Sequence, residues 1–177
     1  MSKQSVDIRP ATPADKAALG DLWEAFLNEQ AQHDSDLAPA EDARKRWEND
    51  YEGWLQDDGI FLSVAIKEAV LIGFAYASLT YHAPIYRAGK EAFLNELFVA
   101  PPHRRKGIGT RLLGEARAWA EEQEVRRLRL STLYHNTAAR EFWEAAGARA
   151  HAVTYVMDTN LDISENQTER STSFGFT

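Results

Sequence analysis

Apolar positions along the chain switch between a period of two and a period near 3.6, and the switches mark out successive strands and helices. Val6-Asp7-Ile8-Arg9 alternates as a short first strand. Thr12-Pro13-Ala14-Asp15 then reads as a helix start, with Thr12 as cap, Pro13 where no N–H is needed, and Asp15 adding negative charge to the first turn. Ala18, Leu22, Ala25 and Phe26 follow at helical spacing, predicting a helix to about Gln30 with Gly20 as a weak point inside it. Residues 32–38 form a polar loop, and Ala43, Trp47, Tyr51 and Trp54 give one face of a second helix. Two apolar-rich runs, Ile60 to Lys67 and Val70 to Tyr81, are joined by Glu68-Ala69 and predict a β-hairpin. A loop with His82, Pro84, Tyr86 and Gly89 leads to a strand over about Glu91 to Val99.

The second half repeats this alternation. Ile108, Leu112, Ala116 and Trp119 recur as the buried stripe of an amphipathic helix. Arg127 to Leu133 alternates Arg with Leu, as a half-buried strand does. A short helix spans Thr137 to Ala146 and stops at Gly147, and Ala152 to Met157 reads as a closing strand. Residues 159–177 are rich in Ser, Thr, Asn and Gln and predict a flexible tail, in which Phe174 and Phe176 are the groups able to dock on a neighbour. The order β-α-α-β-β-β-α-β-α-β makes residues 6–158 one α/β (α+β) domain.

The chemistry concentrates between Leu97 and Leu113. An apolar strand runs into Arg104-Arg105-Lys106-Gly107-Ile108-Gly109-Thr110, and a helix opens there. Glycines 107 and 109 let backbone approach a ligand, and the unpaired N–H groups of a helix start favour an anion. This is a phosphate-binding turn. It is not a P-loop, because no Gly-x-x-x-x-Gly-Lys-Ser/Thr string occurs, and Leu112 stands where a dinucleotide fingerprint needs its third glycine.

What remains, Arg104-x-x-Gly107-x-Gly109 between a strand and a helix, resembles the pyrophosphate signature of the GNAT superfamily of acetyl-CoA-dependent N-acetyltransferases. A second signature of that family, a strand, an Asn opening a short helix, Phe-Tyr and Gly-Phe, is matched by Leu130 to Leu133, Asn136, Phe142-Trp143 and Gly147-Ala148. The resemblance implies the GNAT fold, a central mixed, mostly antiparallel β-sheet flanked by helices. It also implies acetyl-CoA as donor and direct attack by an amine. The backbone of Leu97, Phe98 and Val99 is then expected to pair with the pantetheine arm, and Arg104, Arg105, Lys106, Gly107, Ile108, Gly109 and Thr110 to hold the pyrophosphate. Asn136 has a plain reading as a helix cap, and by resemblance it also bonds the pantetheine. Trp143 departs from the family's tyrosine, whose role resembles that of a general acid toward the leaving thiolate; an indole N–H cannot take that role. Tyr134, His135 or a water are the substitutes, although both side chains read more simply as loop residues.

An attacking amine must first lose a proton. Glu96 is the candidate acceptor, directly or through water, because alternation sets its carboxylate between apolar Leu94 and Phe98. An edge-facing, salt-bridged or cation-binding carboxylate is the alternative. Around the acceptor, the first two helices and the loop before the central strand offer Trp23, Phe26, Glu29, His33, Asp34, Tyr81, His82 and Tyr86, a mixture of aromatic and acidic groups suited to a cationic amine. Taken singly, each reads more simply as a core aromatic or a surface charge.

Composition narrows the classes further. Cysteine is absent, which excludes disulfides, thiolate metal sites and a cysteine nucleophile. The histidines lack metal-ligand spacing, so no metal is expected. The net charge of −7 conceals an acidic front (14 acidic against 6 basic side chains in residues 1–60) and a basic rear (10 against 6 in residues 101–149). That asymmetry suits an anionic donor and a cationic acceptor, with two ordinary solvated surfaces as the alternative, while the net charge and the absence of a long basic stripe disfavour nucleic acid. No signal peptide or membrane-length apolar run is visible, so a cytoplasmic location without membrane partners is expected. The expectation is thus an N-acetyltransferase acting on a small cationic amine. A protein lysine or N-terminal acetyltransferase and a weakly catalytic acyl-CoA sensor are the alternatives. Family members are often dimers, and a homodimer is expected only by that analogy.

Overall fold

The computed structural model describes residues 5–83, 85 and 89–157. Pro84, Tyr86, Phe174 and Phe176, singled out above, lie outside the described residues. Five strands form one sheet in the order β1-β2-β3-β4-β5. They are β1 (Asp7–Pro10), β2 (Ile60–Lys67), β3 (Val70–Tyr81), β4 (Lys90–Val99) and β5 (Leu128–Leu130). The first four pair antiparallel, while β4 and β5 run parallel over Ala92–Leu94 and Leu128–Leu130. The hairpin turn at Glu68 and Ala69 puts both residues at positive φ, 52° and 65°, as a two-residue connection requires.

Helices cover both faces. Helices α1 (Lys16–His33) and α2 (Ala43–Trp54) lie on one face, where Leu19, Trp47, Tyr51, Val64, Phe74 and Phe98 are buried together. Helix α3 (Ile108–Glu122) lies on the other, burying Ile108, Leu112, Leu113 and Ala116 against Ala65, Ile72, Ala75, Ala77, Leu94 and Val99. Phe142 and Trp143 of α4 (Thr137–Ala145) pack on that second core. Two segments differ from the sequence expectation near α1. The chain from Pro13 to Asp15 is a single 3-10 turn before α1 begins, and α1 runs on to His33, where Asp34 turns extended.

Strand β5 keeps only three of the seven residues expected, because β4 and the chain after Leu130 diverge. The closing strand expected at Ala152 to Met157 is not formed. From Ala148 the chain belongs to a separate unit, described only to Met157 and without helix or strand. Val153, Tyr155, Val156 and Met157 are exposed there. Alternation signals a strand only where a partner supplies hydrogen bonds, and among the described residues none pairs with this run.

The entry to α1 is locked by charge. Arg9 donates to both oxygens of buried Asp15, at 2.7 and 2.8 Å, and the Thr12 N–H and hydroxyl each donate to Asp15 Oδ2 at 2.8 Å. The hydrogen bonds from Arg9 hold the Asp15 carboxyl down at about 2. A carboxyl depressed in the folded state stabilises above its ordinary value, and the contribution is lost as pH falls through the folded value. Asp15→Asn should therefore cost about 1–2 kcal/mol at pH 7, reduced by the solvent that reaches Arg9. In urea melts the difference from wild type should shrink between pH 4 and pH 2.

Candidate active site

The basic turn after β4 is built from two left-handed residues, Arg105 at φ 61° and Gly107 at φ 77°. The second favours glycine, since a Cβ is strained there. The bond nearest the start of α3 runs from the Arg111 N–H to Gly107 O at 3.1 Å, so the N–H groups of Ile108, Gly109 and Thr110 precede the helix's own ladder. Buried Ile108 anchors this helix start in the core. A Cβ at Gly109 would meet the Phe142 ring at 3.4 Å and Leu97 at 3.6 Å, ordinary van der Waals distances, so this helix start lies in packing range of α4 and β4.

The three cations of the turn do not act alike. The Nε of Arg104 donates to Val99 O at 2.7 Å, its Nη2 reaches Glu29 at 2.6 Å, and its guanidinium lies 5.3 Å from the Phe98 ring centroid. Arg104 therefore ties α1 to the end of β4, a role its place in the motif did not reveal. Lys106 Nζ folds back to donate to Pro102 O at 2.8 Å. Arg105 is exposed.

Strand β4 is paired on both sides only as far as Leu94. Beyond that point β5 ends, and among the described residues Glu96 to Val99 pair with β3 on one side alone. Alternate backbone N–H and C=O groups there face away from β3 and form an open edge beside the basic turn.

Glu96 stands where this edge begins. The pairing skips a residue here: Tyr76 lies opposite Glu96 and Ala77 opposite Leu94, leaving Asn95 as a bulge. Asn95 is held by hydrogen bonds to Ser78 Oγ at 2.9 Å and to Phe93 O at 3.2 Å. The bulge corrects the strand-face expectation. Leu94 packs in the core under α3, whereas Phe98 packs in the core under α1 and α2. Glu96 therefore shares its face with Phe98 and Tyr76 and not with Leu94. On that face the Trp23 indole N–H donates to Glu96 Oε1 at 3.0 Å. Burial pushes the Glu96 carboxyl up to about 7, and the Trp23 hydrogen bond offsets only part of that rise.

Aromatic rings gather beside Glu96. Trp23 stacks on Trp47 at 5.7 Å, Trp47 meets Trp54 edge-on at 6.1 Å, and Trp54 stacks on Tyr76 at 5.1 Å. Burial, then the charge of Glu96, raises the Tyr76 hydroxyl. Trp54 and Tyr76 were not among the sequence candidates for this corner; the hairpin register, once known, is the signal that places Tyr76 opposite Glu96.

Of the acceptor candidates that lie among the described residues, Trp23 is the one hydrogen-bonded to Glu96. Phe26 packs edge-on against Phe74 and Phe98, at 6.3 and 6.1 Å. Glu29 pairs with Arg104, His33 ends α1, and Asp34 accepts from the Asp36 N–H at 3.1 Å. Tyr81 is exposed at the end of β3. His82 lies 3.2 Å from buried Glu91, which Arg129 also contacts at 2.6 Å.

Asn136 caps α4, its Oδ1 accepting from the Ala139 N–H at 3.0 Å. Phe142 and Trp143 meet edge-on at 4.7 Å. Tyr134 is exposed, with the Arg140 guanidinium 5.1 Å from its ring centroid. Among the described residues no group of three or more His, Asp or Glu side chains is placed to hold a metal ion, and no helix is long and apolar enough to cross a membrane.

A bulged β4 that parts from β5 beside the basic turn, on a mixed sheet covered on both faces, is the arrangement the resemblance to the GNAT family implied. Residues 20–148 match the acetyltransferase (GNAT) family, and the chain belongs to that family of enzymes. It is 31% identical over 142 residues to the uncharacterized N-acetyltransferase YhfO of Bacillus subtilis (strain 168), covering 80% of this chain and 89% of that protein. It is 29% identical over 102 residues to an aminoglycoside N(6')-acetyltransferase type 1 of Salmonella typhimurium, covering 55% of this chain and 68% of that protein. Among solved structures, the aminoglycoside N-acetyltransferase AAC(6')-Iy in complex with CoA shares the fold with a TM-score of 0.74 at 21% identity, covering 90% of this chain and 98% of that one.

Proposed function

We propose that this enzyme transfers the acetyl group of acetyl-CoA to a primary amine of a small cationic molecule, by direct attack and without an acyl-enzyme. The observation that carries this reading is the Glu96 carboxyl, raised to about 7 at the bulge where β4 loses its partner, a few residues before the anion-binding turn. A carboxyl near neutrality takes a proton and returns it to solvent within one cycle. The donor reading rests on the start of α3. Its first N–H groups and the positive helix end suit a pyrophosphate, and the open edge of Leu97, Phe98 and Val99 suits the pantetheine arm.

Glu96 takes one proton from the bound ammonium, and the neutral nitrogen then attacks the thioester carbonyl carbon while a backbone N–H of the open edge steadies the developing oxyanion. The carbon–sulfur bond breaks, CoA leaves as thiolate, and the second nitrogen proton passes through water to solvent or to the thiolate as the amide forms. With a thiol value near 8.5, departure as the anion is feasible without a dedicated acid, which fits Trp143 in place of a tyrosine. Trp23, Trp54 and Tyr76 beside a carboxylate suit an ammonium group through cation–π contact. The aminoglycoside acetyltransferases among the relatives point to the same class of acceptor.

The test is amine-dependent thiol release from acetyl-CoA, with aminoglycosides, polyamines, amino-acid amides and lysine-containing peptides as acceptors. Turnover on a small cationic amine is the expected result. Turnover on peptides alone would overturn the acceptor class. Acetyl-CoA binding without turnover on any amine would favour a sensor.

A further inference from the structure

We propose that Trp23 is a positioning residue for proton transfer: its indole N–H holds one carboxylate oxygen of Glu96 and directs the incoming proton to the other. This rests on Glu96 being the proton acceptor. The geometry is specific. Trp23 Nε1 lies 3.0 Å from Glu96 Oε1, and the two residues stand 73 positions apart in the chain. The indole itself is held, stacked on buried Trp47 at 5.7 Å. An indole N–H only donates. The indole N–H occupies one lone pair of Oε1 and draws on its charge, which leaves Oε2 the more basic oxygen and the one that receives the proton from the amine. The same bond fixes the carboxylate rotamer before the acceptor arrives, when the side chain would otherwise choose among staggered conformers.

The electrostatic surroundings leave Trp23 as the group that stabilises the charged form. From β3, Tyr76 faces Glu96 in register and is uncharged near neutrality. Asp50 of α2 and Asp57 of the following turn also act on the Tyr76 hydroxyl and raise it. Among the described residues no Lys, Arg or His makes an ion pair with Glu96. Removing the indole donor therefore raises the proton affinity of Glu96 further.

Trp23→Phe keeps a ring on Trp47 and deletes the N–H. Its kcat/KM should fall about 3- to 10-fold at pH 6.5 and much less at pH 8.5, with the acidic limb moved to higher pH and acetyl-CoA affinity unchanged. A loss due to packing alone would be the same at every pH and would overturn the proposal. Glu96→Gln separates the two claims. If that variant turns over like wild type, the proton-acceptor reading fails; if it is inactive and the Trp23→Phe pH profile superimposes on wild type, the positioning role alone fails. A second measurement needs no folded Trp23 variant. In wild-type protein the Trp23 indole ¹⁵N–¹H resonance should titrate with a midpoint near the Glu96 value of about 7, and should be flat in Glu96→Gln. A resonance that ignores pH in wild type overturns the contact.

Discussion

Glu96→Gln is expected to lower kcat by about 10²–10⁴-fold while leaving acetyl-CoA affinity unchanged, the usual scale for losing a positioned base. Glutamine preserves the size of the side chain and its ability to accept from the Trp23 indole, so the loss isolates proton acceptance. The pH dependence follows from the same carboxyl. A base works only when deprotonated, so kcat/KM of the wild type should climb with pH and level off above about 7. Stability should move the opposite way. A carboxyl raised in the folded state binds more protons folded than unfolded between its ordinary value and about 7, so stability falls as pH rises through that window. The variant carries no charge to bury. Its Tm should match wild type near pH 4 and exceed it at pH 8, a gain in stability coupled to a loss of activity. Calorimetry at the two pH values checks this, and equal Tm at pH 8 would mean the carboxylate is not buried at a cost.

The second large effect is at the start of α3. Gly107 sits at φ 77°, a region Asp and Asn tolerate better than other residues with a side chain, and nothing lies within 4 Å of a Cβ placed there. Gly107→Asp would set a carboxylate over the N–H groups of Ile108, Gly109 and Thr110, filling the place proposed for the pyrophosphate with a like charge. CoA affinity measured by calorimetric titration should weaken about 10- to 100-fold, the worth of one or two charge-assisted contacts. The left-handed backbone strains either side chain, so both variants should lose about 1–2 kcal/mol of stability, offset in part for Asp by its charge at the positive helix end. Gly107→Asn is the control, matching shape and backbone strain without the charge, and should weaken binding far less. Equal loss in both variants would assign the effect to backbone strain.

Local signals in the sequence carried far. The hairpin of Ile60–Lys67 and Val70–Tyr81 is bounded in the structure as the apolar runs predicted. The stripe of Ile108, Leu112 and Ala116 is the buried face of α3, and Asn136 caps α4 as its residue type suggested. These features depend on neighbours within a few residues. What the sequence could not show depends on distant partners. The bulge at Asn95 comes from registration against β3, and it reverses which face Leu94 shares. The Trp23–Glu96 bond and the Arg104–Glu29 pair join α1 to β4 and its turn across more than seventy residues. The run from Ala152 to Met157 has the alternation of a strand, but pattern alone supplies no pairing partner.

The central claim is that Glu96 takes the proton of an amine that attacks acetyl-CoA. Its most direct test compares wild type with Glu96→Gln at pH 8, following thiol release and the mass of the acceptor together. Wild type should release one CoA for each acceptor gaining an acetyl group. Glu96→Gln should bind acetyl-CoA normally and form neither product at a comparable rate. Equal acetylation by both proteins would contradict it.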